Sequence, residues 1–369
     1  MAVVHNARES KTQRRVFTVV GIDGSARSPK VLQLMSVTKK IQRLAQATKL
    51  FVFGLPKYAI GSIDVTNRCN LRCEHCYFFA ESHKGEKELS VEEWVEKLEA
   101  MKAAGHPMML CTWVGGEPMV RKNLIEVGRK YFRHNTIVTN GTMELPDWDD
   151  CNYVISIDGT EEAFARMRAP GIYQKIKQNV INHPNLKIQI SCVITSITKD
   201  CIEDLVKEWG PIARGGVIFD FFTPVTNLDE ALWLDWEERD VMIDRILELK
   251  KKYPGVINMM DSTLELMRSK NAKRVTDNCL FSSKAFTLGP TGEHKGKCMM
   301  GDKADCDRCG CVVPFHMATL SSRRLMLKEA LKAPFAPKRK HVAAANAQQP
   351  VQINSRANWE NSARPDDAF

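Results

Sequence analysis

Twelve cysteines in a chain of 369 residues are the first chemistry to account for. Reduced thiols act as metal ligands where they cluster and as small apolar side chains where they stand alone. Eight of them cluster: Cys69, Cys73 and Cys76 at spacing C-x3-C-x2-C, then Cys279, Cys298, Cys306, Cys309 and Cys311 at C-x18-C-x7-C-x2-C-x-C. Cys111, Cys151, Cys192 and Cys201 stand alone and read as packing residues. Three thiolates suit a [4Fe-4S] cluster that keeps one iron open to an outside ligand, whereas a closed structural zinc takes four protein ligands. A zinc knuckle here would need His75 or His83 as its fourth ligand. The later five suit one four-thiolate centre with a thiol to spare, either Cys309 or Cys311, because their C-x-C spacing makes joint ligation awkward. Spacing does not tell zinc from iron and sulfur at that second centre.

The first triad follows directly on a β-rich run, and the surrounding pattern says what holds it. Strands are expected at Ile60–Thr66, Met108–Trp113, Thr136–Thr139, Tyr153–Asp158, Lys187–Thr195 and Val217–Phe222. Helix-length segments alternate with them at Val91–Ala104, Asn123–His134, Ile172–Asn182, Asp200–Trp209 and Trp236–Lys252. The first helix begins at a capping box, Ser90 with Glu93 three residues on, and stops at Gly105. Such alternation makes a parallel sheet, either an open doubly wound one or an incomplete barrel, and in both the site lies at the carboxyl ends of the strands.

Further stations fall at successive strand ends. The second strand runs into Gly115-Gly116-Glu117-Pro118: glycines admit a close backbone approach, a carboxylate can accept from an ammonium group, and proline stiffens the exit. The third ends in Thr139-Asn140-Gly141 and the fourth in Ser156-Ile157-Asp158-Gly159, with Arg168 shortly after.

The triad at this spacing, with Gly-Gly-Glu-Pro in order behind it, resembles the radical S-adenosylmethionine superfamily over residues 58–225. The resemblance implies a partial (β/α)6 TIM-like barrel with a small Cys-rich C-terminal accessory unit, as well as a core [4Fe-4S] cluster on Cys69, Cys73 and Cys76. It further implies that the open iron binds S-adenosyl-L-methionine and that one electron cleaves the sulfonium to a 5′-deoxyadenosyl radical. Cofactor contacts would come from His75, Tyr77, Gly115, Gly116, Glu117, Pro118, Asn140, Ser156, Asp158 and Arg168, the last standing in the family's arginine position with Ala169 in place of glycine. The second cysteine group resembles the SPASM/Twitch unit in its short form, implying a second, auxiliary [4Fe-4S] cluster among Cys279, Cys298, Cys306, Cys309 and Cys311. An external one-electron donor such as flavodoxin or ferredoxin is implied as partner.

Apolar residues make up 44% of the chain, enough for a sizeable core, and no run approaches the roughly 18–20 residues of a membrane span. The chain reads as cytoplasmic. A net charge of +9 is spread along it without a nucleic-acid motif, so no nucleic-acid partner is expected. Residues 1–57 form a basic segment in which Pro29–Leu50 reads as an amphipathic helix, one that would lie against a membrane surface or pack on the barrel edge. The expected division continues with the radical core at 58–255, the auxiliary-cluster region at 256–318 and a basic, disordered tail at 319–369. The substrate class stays open at this point: a small-molecule or lipid-like compound, or a peptide side chain. A scaffold that has kept the fold without radical chemistry is the non-enzyme alternative.

Overall fold

The computed structural model describes residues 56–80 and 86–332, and the backbone of 19–20 and 26–27. The chain divides into two compact units, Met1–Leu55 and Pro56–Phe369. In the first, Val19–Val20 pairs antiparallel with Ala26–Arg27. The helix expected at Pro29–Leu50, His83 and the tail beyond residue 332 lie outside the described residues.

The second unit is built on seven parallel strands: β1 (Ile60–Asp64), β2 (Leu110–Val114), β3 (His134–Thr139), β4 (Cys151–Ser156), β5 (Lys187–Ile194), β6 (Gly216–Phe221) and β7 (Phe286–Leu288). Their order is β6-β5-β4-β3-β2-β1-β7. The first six are the expected strands, with ends shifted by no more than two residues. The seventh is new: three residues of the late segment pair parallel with β1 and cover its edge. A partial barrel of the expected kind therefore gains a strand that three residues without visible alternation could not announce.

The helices are α1 (Val91–Ala103), α2 (Lys122–Gly128), α3 (Glu161–Met167), α4 (Tyr173–Asn182), α5 (Ile202–Trp209), α6 (Trp236–Lys252), α7 (Asp261–Leu266), α8 (Ser269–Asp277), α9 (Leu280–Lys284), α10 (Val312–Ser321) and α11 (Arg323–Lys332). The capping box of α1 forms as expected. Helix α2 is shorter than expected, giving way to a 3-10 turn at Arg129–Tyr131. A Cβ on Gly128 would come within 2.5 Å of the Trp113 ring, so the missing side chain lets the helix end sit on β2. Helix α3 was not anticipated; Thr160 caps it, and Arg168 is its last, capping residue. Among the described residues no helix is long and apolar enough to cross a membrane.

Alternation assigns the two faces of the sheet. Cys111, Trp113, Ile137, Tyr153, Ile155, Ile190, Cys192, Ile194, Val217 and Phe219 are buried in the main core under the helices. Phe221 and Phe222 are buried as well. The opposite face is polar across five strands: Thr287, Ser62, Thr112, Thr136 and Asn152 stand in register. Nearer the carboxyl ends, Ser156 pairs with Ser191, whose hydroxyl donates to Asp220 at 3.2 Å.

Candidate functional site

The loop that carries the triad leaves β1 and is held by the turn after β2. Gly116 N–H donates to the Thr66 carbonyl and Glu117 N–H to that of Arg68, both at 2.8 Å. A Cβ on Gly116 would lie 2.2 Å from the Arg68 carbonyl oxygen, and Gly115 sits at φ 116°. Glycine is needed here for backbone to lie on backbone. Pro118 opens the 3-10 turn that follows. The Glu117 carboxylate, 1% exposed, accepts from Thr139 Oγ1 at 2.6 Å, Met119 N at 3.0 Å and Asn140 N at 2.8 Å. Burial pushes its carboxyl up, and these donors act against that shift. Glu117 thus locks the end of β2 to the end of β3. Asn140 in turn donates to Asn70 inside the cysteine loop, and Asn70 donates to Thr142, each at 2.9 Å.

The far side of the loop rests on α3 and β4. Glu74 N–H donates to the Met167 carbonyl at 2.9 Å. Arg168 donates through Nε to Asp158 at 2.6 Å, lies 3.8 Å from Cys73 Sγ through Nη1, and reaches His75 Nε2 at 3.4 Å. Asp158, wholly buried, also accepts from Val193 N at 2.9 Å and stands 3.3 Å from His75. Burial alone would raise its carboxyl, but Arg168, then His75 and the Val193 amide, hold it below the ordinary range. Burial pulls His75 down to about 4, so the ring is neutral near pH 7. Its Nδ1 is buried without a partner. Burial likewise pushes Cys69 up to about 11 and Cys73 up to about 12. These thiols ionise when a metal replaces the proton.

Tyr77 follows the triad, and the Lys295 ammonium stands 5.4 Å from its ring centre. Lys295 comes from the late segment and pairs with Asp64 at the end of β1. Burial, and after it the negative charge of Asp64, raises the Tyr77 hydroxyl well above its ordinary range.

All five late cysteines, Cys279, Cys298, Cys306, Cys309 and Cys311, line one cavity of about 80 Å³ together with Met299, Met300 and Phe281. The Cys309-Gly310-Cys311 turn is pinned to β6. Phe221 N–H donates to the Gly310 carbonyl at 2.9 Å, Gly310 N–H donates to Thr223 Oγ1 at 2.8 Å, and Val312 N–H donates to Asp220 at 2.7 Å. Among the described residues no three or more His, Cys, Asp or Glu side chains converge as ligands of a single ion. A mononuclear zinc site needs that convergence. A cubane attaches each thiolate to a different iron, so donor sets of three and five thiols fit such a cluster, and His75 Nε2 faces Asp158 and Arg168.

Residues 63–208 match the family model of the Radical SAM superfamily. Over 278 residues the chain is 40% identical to a probable GTP 3′,8-cyclase of Archaeoglobus fulgidus, covering 64% of this chain and 91% of that protein. This chain belongs to the radical SAM superfamily. That superfamily uses a [4Fe-4S] cluster and S-adenosylmethionine. It is also similar to the Fe-coproporphyrin III synthase of Methanosarcina barkeri, at 29% identity over 167 residues, 42% of this chain and 41% of that protein. The chain thus spans less than half the length of that relative. Among solved structures, Streptococcus suis SuiB bound to its precursor peptide SuiA superposes with a TM-score of 0.54 at 14% identity, over 84% of this chain and 75% of that one. That likeness is one of fold.

The site contains residues the sequence did not single out: Asn70, Asp64, Asp220 and Lys295. One signal was present, since Asp220 is a charge inside the otherwise apolar run Gly216–Phe221. Asp64 and Lys295 pair across 231 positions of chain, a distance at which spacing says nothing.

Proposed function

We propose that Cys69, Cys73 and Cys76 hold the core cluster, that the ends of β2 to β4 hold S-adenosylmethionine, and that Cys279, Cys298, Cys306 and Cys309 hold an auxiliary cluster. We take Cys311 as the spare thiol, because the amide of its neighbour Val312 donates to Asp220 on the inner face at 2.7 Å. The substrate is a small, polar molecule. The observation that carries this last point is the polar inner face of the sheet, where Thr112, Thr136, Asn152, Ser156, Ser191 and Asp220 are half-buried. A lipid-like substrate offers such a face no hydrogen bonds, at a cost of about 1–3 kcal/mol for each polar group left without a partner. The name of the cyclase relative, a GTP-converting enzyme, agrees with a polar substrate.

When bound, the cluster and its cofactor supply a 5′-deoxyadenosyl radical able to take a hydrogen atom or add to the substrate. The protein's own residues prepare for this. Arg168 and the neutral His75 fill the space beside Cys73, and Asp158 neutralises Arg168, so no free charge competes for the cofactor there. Glu117 and Asn140 fix the strand ends on which the cofactor rests. Asp220, its carboxyl raised by burial, offers a hydrogen-bonding group to the substrate. An external one-electron donor such as a flavodoxin or ferredoxin completes the reaction.

The test is anaerobic reconstitution, then dithionite and S-adenosylmethionine with pooled deuterated metabolites, peptides or lipids. 5′-Deoxyadenosine should form, deuterium should enter it from the polar pool, and Cys73→Ala should abolish both. Deuterium transfer from lipid or peptide alone would overturn the substrate class, and undiminished 5′-deoxyadenosine from the variant would overturn the cluster assignment.

A further inference from the structure

Arg239 lies in the first turn of α6 and is wholly buried. Aromatic rings surround its guanidinium: Phe221 at 4.8 Å, Trp236 at 4.9 Å and Phe315 at 5.7 Å. Nη1 donates to the Cys309 carbonyl at 2.8 Å. Nε and Nη2 have no partner. The carboxylate next to it in sequence, Asp240, is taken by the amide and hydroxyl of Ser269. A guanidinium keeps its charge inside a protein.

A buried cation with two idle donors and no counter-ion is costly, and the ring faces offset only part of that cost. The balance requires negative charge close by. What lies beyond the Cys309 carbonyl is the cavity lined by the five late cysteines. Four thiolates around an iron-sulfur cubane carry net negative charge, and the charge around a cluster is one of the factors that set its potential.

We propose that Arg239 is the buried counter-charge of the auxiliary cluster: it positions Cys309 through its carbonyl and favours the more negative, reduced state of the cluster. The inference rests on the auxiliary-cluster reading above. Its test uses the full chain carrying Cys73→Ala, in which only the second centre remains, with iron counted first and the midpoint potential then read by electron paramagnetic resonance. Iron near four per chain is expected in this parent, and none would overturn the reading on which the inference rests. Arg239→Met and Arg239→Gln, which remove the charge, should lower the reduction equilibrium constant at least tenfold, or 59 mV for one electron. Arg239→Lys, which keeps the charge and gives up the fork, should stay much closer to the parent. A charge-removing variant that keeps its iron and the parent's potential overturns the proposal. So does a Lys variant that shifts as far as Met or Gln. If Met does not fold, the Gln and Lys pair decides by the same criterion.

Discussion

Replacing Asp158 by asparagine strikes the buried group on which the far side of the cysteine loop rests. Asp158 is fully buried, and the Arg168 side chain is 10% exposed, so solvent screens their pairing little. Asparagine can still accept from the Val193 amide, but it leaves the Arg168 guanidinium without its charge partner beside Cys73. Breaking one half of a buried pair costs about 3–5 kcal/mol, most of it from the charge left behind. Removing both partners, as in Asp158→Asn with Arg168→Met, leaves no stranded charge and should cost clearly less than the two single changes added, with a coupling of about 1–3 kcal/mol. Urea unfolding of the cluster-free protein reads all three. The pH dependence has a fixed sign as well. Asp158 is held below the ordinary carboxylate range, so its contribution is fully present above the unfolded value of about 3.9 and disappears as pH falls through the lower folded value. Asp158→Asn should therefore flatten the acid limb of the stability profile. A single variant within about 1 kcal/mol of the parent, or strictly additive costs, would refute the claim that this pair holds the loop.

Glu117→Gln should lose about 1.5–3 kcal/mol of stability as well as cofactor affinity, because its NH2 group would face a backbone donor in either orientation, Met119 N–H or Asn140 N–H; unfolding and titration with S-adenosylmethionine separate the two effects, and an unchanged melting point would show the strut to be idle. The double variant Cys279→Ala, Cys298→Ala should fall from about eight irons to about four while still forming 5′-deoxyadenosine slowly, since one cubane holds four irons. Zinc at that site, or an unchanged iron count, would remove the auxiliary cluster.

Much of the core was legible because its chemistry repeats at a regular place. Each station, from the triad to Asp158, sits at the end of a strand that periodicity could find. The reason for some of those residues was less legible. Gly115 and Gly116 serve backbone packing against Thr66 and Arg68. Glu117 is spent on two strand ends. Arg168, read as a cofactor contact, is paired inside the protein with Asp158. Single short motifs give residue type but not partner, and partners here come from elements dozens of residues away. The late segment was legible only as a cysteine count. Its strand is three residues long, and Lys295 and Arg239 gain meaning only from Asp64 and Cys309 in space.

That late segment also explains how an incomplete barrel keeps a defined mouth. The sheet is open, with β6 at one edge and β1 next to the other. Phe286–Leu288 add β7 beside β1, and Lys295 then reaches back to Asp64 over the Tyr77 ring. Val225 bridges Ala304, and residues 309–312 bond to Phe221, Thr223 and Asp220 at the end of β6. One stretch of chain thus runs from one edge of the sheet to the other across the carboxyl ends, where further strands of a closed barrel would have stood. Cys298, Cys306, Cys309 and Cys311 lie along this stretch, so their placement relative to the first triad depends on both edges at once. A centre anchored to both edges keeps its place relative to the strand ends, the kind of support a functional site takes from regular elements.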